Sequence, residues 1–135
     1  MSDLKGVSII ELSENIDNRG SFTKVLMSTW LDINRDEFEV YITSCLPGSS
    51  RGGHYHKKAK EWFLLLDGEC TLVLNDICGN KFSTIKMNGI NKNLVYVPPF
   101  VAHEFFNTGK VEFKLLAISD QIYRSEDTIL YKLEL

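Results

Sequence analysis

The chain has 135 residues, enough for one domain spanning 1–135, and its 44% apolar content is ordinary for a soluble globular protein. A formal net charge of −3 argues against a general nucleic-acid or anionic-membrane surface. No apolar run approaches the length of a transmembrane helix, and residues 1–5 lack signal-peptide character. The three cysteines, Cys45, Cys70 and Cys78, form no CxxC pair. Reduced thiols and a cytoplasmic location are the expectation.

Strand signals dominate in chain order. Residues 7–12 form the first β-rich run, and Asp17-Asn18-Arg19-Gly20 reads as a turn before a short strand at 21–27. The polar stretch 29–37 reads as a loop or one helical turn. Residues 39–46 alternate as a strand, and Pro47-Gly48 ends it. The apolar runs 62–66 and 70–74 flank Asp67-Gly68-Glu69, which predicts a hairpin. A turn at 75–80 precedes alternation at 81–87, and 88–93 is a Gly/Asn-rich loop. Residues 94–97 run into Pro98-Pro99, which cannot continue a central strand. Residues 104–106 and 111–118 flank the turn Thr108-Gly109, and the tail at 125–135 reads as a final strand or a helical turn. Short strands at regular spacing predict an all-β sandwich or barrel.

The chemistry-bearing residues concentrate in two windows. All three histidines of the chain, His54, His56 and His103, fall in them. On an extended segment, side chains at i and i+2 share a face, so His54 and His56 project together. Glu61 opens the next apolar run, and a turn through 57–60 can return it to them. His103 joins only if the sheet curls. Three imidazoles and a carboxylate make a ligand set for a first-row divalent metal such as Zn, Ni or Fe. The same groups suit acid–base work, because histidine titrates near neutrality. Arg51 offers a fixed cation for a phosphate or an enolate. Lys57 directly follows His56, and Tyr41 and Tyr55 offer phenols to a sugar hydroxyl. Trp62 and Phe106 offer rings to a nucleotide base, although core packing is their ordinary role.

The first window, Gly48 through His54, His56 and Glu61 to Gly68, resembles the first motif of the cupins, small jelly-roll barrels. The second window departs from the cupin pattern at Phe100, where a glycine is usual. A longer series is similar to the cupin dTDP-4-keto-6-deoxyglucose 3,4-ketoisomerases: Asp17-Asn18-Arg19-Gly20-Ser21-Phe22, Arg51-Gly52-Gly53-His54-Tyr55-His56-Lys57-Lys58, Tyr96-Val97-Pro98-Pro99 with His103-Glu104, and Ala117-Ile118-Ser119-Asp120. The resemblance implies a cofactor-free homodimer that moves a carbonyl between C4 and C3 of a nucleotide-linked sugar. It implies His54 and His56 as the catalytic pair, with Arg51, Tyr41, Tyr55, Lys57 and His103 toward the substrate. Glu61 departs from that family, which usually has an amide there. The cupin domain of capsular-polysaccharide epimerases also has a Gly-x-His-x-His…Glu run and holds a metal. For that relative, His54, His56, Glu61 and His103 are the implied ligands. The dTDP-4-dehydrorhamnose 3,5-epimerases share the Arg-Gly-x-His theme more distantly. All of these abstract a proton beside a C4 carbonyl and differ in where it returns.

Two other classes fit the ligand set. A metal-dependent oxygenase-type cupin would show tight iron and oxygen uptake. A non-enzymatic sugar-binding cupin would bind a nucleotide sugar without solvent deuterium exchange.

Overall fold

A computed structural model of the chain describes residues 4–30 and 36–135. Among the described residues, twelve strands run in chain order: β1 (Ser8–Glu11), β2 (Glu14–Asp17), β3 (Gly20–Thr23), β4 (Glu39–Cys45), β5 (Ser50–His56), β6 (Glu61–Asp67), β7 (Glu69–Asp76), β8 (Lys81–Asn88), β9 (Asn93–Val97), β10 (Val101–Phe106), β11 (Phe113–Ser119) and β12 (Thr128–Leu130). One five-stranded sheet has the order β1-β9-β6-β11-β4, and a second has the order β12-β5-β10-β7-β8. Their ladders are antiparallel. This is the all-β jelly-roll architecture expected of a cupin.

Alternation along the central strands builds the core. Phe63 and Leu65 of β6, Leu72 and Leu74 of β7, and Phe105 of β10 belong to the main buried cluster between the sheets. Trp62 and Leu64, pointing the other way from β6, pack with Leu94, Ile118, Val25 and Leu26. On the second sheet, Val73 and Ala102 are covered by Leu133 and Tyr131 of the tail. These strands are therefore buried on both faces, which is why their sequences read as unbroken apolar runs.

Two local expectations need correction. Strands β6 and β7 do not form a hairpin, because they belong to different sheets. Gly68 is the corner between them: its φ is 86°, and a Cβ there would meet Phe113 Cα at 2.9 Å. Apolar strands around an Asp-Gly suggest local pairing, but burying both faces of each strand requires different neighbours. The strand read at 21–27 is shorter and pairs with β2, a partner the pattern did not reveal. This hairpin forms its own two-stranded sheet. The stretch 29–37 holds a 3₁₀ turn at Ser28–Trp30, and the part of that reading at 31–35 lies outside the described residues. The tail contains both alternatives, a 3₁₀ turn at Ser125–Asp127 followed by β12. No helix among the described residues is long and apolar enough to cross a membrane.

Phe105 is 2% exposed, and its ring lies 4.8 Å from that of Phe63. Phe105→Ala leaves a cavity in a close-packed interior, so it should destabilise the fold by about 3–5 kcal/mol. Urea unfolding checks this; a cost below about 1 kcal/mol would mean that the core collapses around the gap.

Candidate active site

The site forms where two connections cross from one sheet to the other. Residues 57–60 carry the chain from β5 to β6, and Pro98-Pro99-Phe100 carries it from β9 to β10. The crossings touch, since the Phe100 amide donates to the His56 carbonyl at 2.8 Å. Phe100 occupies the position where cupins usually have glycine, and it takes a left-handed backbone with φ 64°. That conformation is a strained one for a bulky residue.

Gly52 and Gly53 set the register of the histidines. Both have positive φ, 94° and 81°, and the β5–β10 ladder shifts between His103 and Glu104. This glycine bulge puts His54 directly opposite His103 on the neighbouring strand. A Cβ on Gly52 would sit 2.7 Å from the His103 carbonyl oxygen, so only glycine permits the approach.

Glu61 enters from the opposite sheet. One ligand atom from each of His54, His56, Glu61 and His103 lies within 4.8 Å of the others. Glu61 Oε1 is 3.0 Å from His56 Nε2 and 3.3 Å from His103 Nε2. The outer ring nitrogens are committed elsewhere. His56 Nδ1 lies 3.1 Å from the Asp127 carbonyl, and His103 Nδ1 lies 3.0 Å from the Val101 carbonyl. A carbonyl only accepts, so each Nδ1 carries a proton, and each ring turns its Nε2 toward Glu61. Among the described residues, His56 Nε2, His103 Nε2 and Glu61 Oε1 are buried and make no hydrogen bond of acceptable geometry. Three acceptors facing one another in a buried space require a positive charge among them, either a proton or a cation.

The electrostatics follow the same geometry. Burial, reinforced by the neighbouring His103 and His56, lowers the His54 pKa from 6.5 to about 4. Burial also opposes charge on His56, but contact with Glu61 and the Asp127 carbonyl outweighs it and raises the His56 pKa. Glu61 is driven well below the usual carboxylate range: its contacts with His103 and His56 overcome the penalty of burial. The Tyr41 phenol is pushed far up by burial, then by the charges of Glu61 and Glu39.

A cavity of about 100 Å³ opens beside this cluster, with Tyr41, His54, His56 and Glu61 on its wall. His103 lies behind that wall, with its ring centroid 4.9 Å from that of His54. Three expected substrate contacts fall elsewhere. Arg51 donates from Nε to the Ser44 carbonyl at 2.7 Å. The Tyr55 ring, one residue out of phase with the histidines, packs near Phe100 and Tyr131. The Lys57 side chain is exposed, and the backbone amide of Lys57 is tied to Asp127. Trp62 and Phe106 are in apolar clusters, their ordinary role. Ser119 of the fourth motif joins the wall, and the rest includes Gln121, Tyr123, Arg124 and Asp127, which the motifs did not flag. Asp127 meets His56 across 71 positions through a backbone carbonyl, which leaves no side-chain signature in a sequence.

Gly52→Ala should force β10 away from β5 and misplace His103. We expect a loss of about 1–3 kcal/mol in stability together with impaired site function. Urea unfolding and activity of the same preparation check this, and a neutral variant would contradict the bulge account. A second prediction concerns pH. The folded pKa of His54 is depressed, so its contribution to stability is present above 6.5 and lost as pH falls toward about 4. Glu61 acts in the same direction below its ordinary 4.5. His56, with a raised pKa, contributes below 6.5 and loses that contribution as pH rises through its folded value. Denaturation midpoints should therefore fall between pH 6.5 and 4, and His54→Asn should flatten that slope. An unchanged slope in the variant would contradict the assignment.

Comparison with known proteins agrees with the geometry. Over 115 residues the chain is 26% identical to a UDP-2-acetamido-2,6-beta-L-arabino-hexul-4-ose reductase of Pseudomonas aeruginosa. That match covers 85% of this chain but spans only 29% of the reductase. Over 121 residues the chain is 26% identical to a TDP-4-oxo-6-deoxy-alpha-D-glucose-3,4-oxoisomerase of Aneurinibacillus thermoaerophilus, covering 90% of this chain and 84% of that one. Among solved structures, a 3,4-ketoisomerase from Helicobacter canadensis superposes with a TM-score of 0.79 at 25% identity, covering 92% of this chain and 90% of that one. A family model for the polysaccharide biosynthesis C-terminal domain matches residues 15–130. With that match running over most of the chain and through every residue of the histidine cluster, the protein belongs to the polysaccharide biosynthesis C-terminal domain family.

Proposed function

We propose that the protein is a sugar-nucleotide isomerase, a 3,4-ketoisomerase of a dTDP-linked 4-keto-6-deoxy sugar. The observation that carries this reading is the pairing of His54 and His56 on one cavity wall, differently partnered. Among the described residues, His54 has no carboxylate within ion-pair distance, and burial favours its neutral form. His56 is buttressed by Glu61 on one nitrogen and the Asp127 carbonyl on the other. One imidazole is thus free to accept a proton and the other is arranged to carry one. The ketoisomerase relatives support the substrate class.

The chemistry balances with these two groups. A C4 carbonyl acidifies the proton on C3, and neutral His54 removes it. His56 gives a proton to O4 as charge builds there, which yields an enediol. His56 then takes the proton of the O3 hydroxyl, and His54 returns its proton to C4. The carbonyl has moved to C3, and both histidines are restored. Tyr41 stands on the same cavity wall, where its phenol can meet a sugar hydroxyl.

A second reading is favoured by the three buried acceptors around Glu61. A divalent metal fits this donor set: two imidazoles turn Nε2 toward a carboxylate, and His54 completes four ligands. Bound there, a divalent ion would polarise a substrate oxygen. His54, His56, Glu61 and His103 would hold it, and the reaction would be epimerisation at C3 of a UDP- or dTDP-linked 4-keto sugar.

We also propose a homodimer. The β2–β3 hairpin has no ladder to either sheet, and it exposes Ile16 by 75% and Phe22 by 63%. A lone hairpin is marginal in water, and the edge strand β4 exposes Val40 and Ile42. A second copy would cover both. The free thiols Cys45, Cys70 and Cys78 support a reducing, cytoplasmic setting.

The test is turnover of dTDP-4-keto-6-deoxyglucose by metal-analysed protein, with the product identified. The expected result is a 3-keto product and a loss of about 10²–10⁴ in kcat for His54→Asn and for His56→Asn. Near-wild-type turnover in either variant would overturn the mechanism. A 3-epimer with stoichiometric metal would select the second reading.

A further inference from the structure

We propose that Asp127 is a positioning residue that clamps the His56 ring and the turn behind it into one rigid unit. The clamp has two jaws on one residue. The Asp127 carboxylate, on a residue only 8% exposed, accepts three backbone N–H groups in a row. Oδ1 takes Lys57 at 3.0 Å and Lys58 at 2.9 Å, and Oδ2 takes Ala59 at 3.2 Å. The Asp127 carbonyl takes the Nδ1–H of His56 at 3.1 Å. The carboxylate therefore holds the backbone immediately after His56, and the carbonyl holds the ring itself. Because both jaws share one Cα, ring and backbone cannot move independently.

The surroundings call for such a clamp. Residues 57–60 leave one sheet for the other with no ladder of their own, so their amides need partners. The tail bearing Asp127 returns to β5 through only a three-residue strand, in which Thr128 sits opposite His56. Asp127 itself follows a short turn closed by its own amide donating to the Arg124 carbonyl at 3.1 Å. With Nδ1 engaged, His56 must present Nε2 to Glu61 and the cavity. Whether Nε2 serves a proton or a metal, the direction it faces is set by Asp127.

Asp120 provides an internal comparison. It is also buried, at 4% exposure, and its Oδ1 accepts the Lys60 amide at 2.9 Å. It ties the same connection to the same tail segment through Lys60 rather than through the His56 ring.

The experiment compares Asp127→Ala, Asp127→Asn and Asp120→Ala by two readouts. The first is the ring N–H proton of His56 in NMR, assigned by its disappearance in His56→Asn; it needs no substrate. In the native protein this proton should exchange slowly, because it is bonded to a buried carbonyl. It should be lost to exchange in Asp127→Ala, weakened in Asp127→Asn, and retained in Asp120→Ala. The Asn variant keeps an oxygen for the Lys57 and Lys58 amides but turns its NH₂ against that of Ala59, and it serves if the Ala variant fails to fold. The second readout rests on the isomerase reading. Asp127→Ala should lower kcat about 10–100-fold, the range for groups that orient a functional histidine, with KM within about threefold. Asp120→Ala should lower Tm while leaving kcat within about threefold. A protected His56 ring proton in both Asp127 variants would overturn the proposal, as would equal kcat losses in Asp127→Ala and Asp120→Ala. If the native protein turns over no 4-keto sugar, the isomerase reading fails, while the ring proton still decides the role of Asp127.

Discussion

A single carboxylate facing two imidazole nitrogens across a β-sandwich organises this protein. Glu61 stands on one sheet, and His56 and His103 stand on the other, at 3.0 and 3.3 Å. Charged groups are rarely buried without partners. The contact exists because two crossings bring opposite sheets together at one end, and because the Gly52-Gly53 bulge aligns His54 with His103. The cavity, the contrast between the two β5 histidines and the clamp by Asp127 are all consequences of that meeting.

The C-terminal segment has a larger part than its regularity suggests. It covers the outer face of the second sheet through Leu133 and Tyr131, and Glu104 anchors it by accepting the Leu133 amide at 2.9 Å. The same segment contributes Gln121, Arg124 and Asp127 to the cavity wall. Packing on the outside of the sheet thereby fixes geometry on the inside.

Much of the cluster was legible in the sequence because its spacing follows local rules. His54 and His56 share a face by strand alternation, and Glu61 follows one short connection later. His103 was harder, since its place depends on a second crossing, and the paired prolines before it marked only the end of a strand. The failures share one physical origin. Asp67-Gly68-Glu69 looked like a hairpin because turn chemistry is local, whereas the choice of sheet is set by burial of both strand faces. Tyr55 and Arg51 neighbour the histidines in sequence yet do not line the cavity: Tyr55 packs near Tyr131, and Arg51 donates to the Ser44 carbonyl. Asp127 acts through its backbone carbonyl and three amides, groups that every residue carries, so no pattern of side chains could announce it.

The account rests on a proton leaving C3 of a nucleotide-linked 4-keto sugar at the His54–His56 wall. The most direct measurement is proton NMR of dTDP-4-keto-6-deoxyglucose incubated with the protein in D₂O. The account predicts loss of the C3 proton signal at a rate matching turnover, with no loss in His54→Asn. Retention of that signal while product accumulates would contradict it.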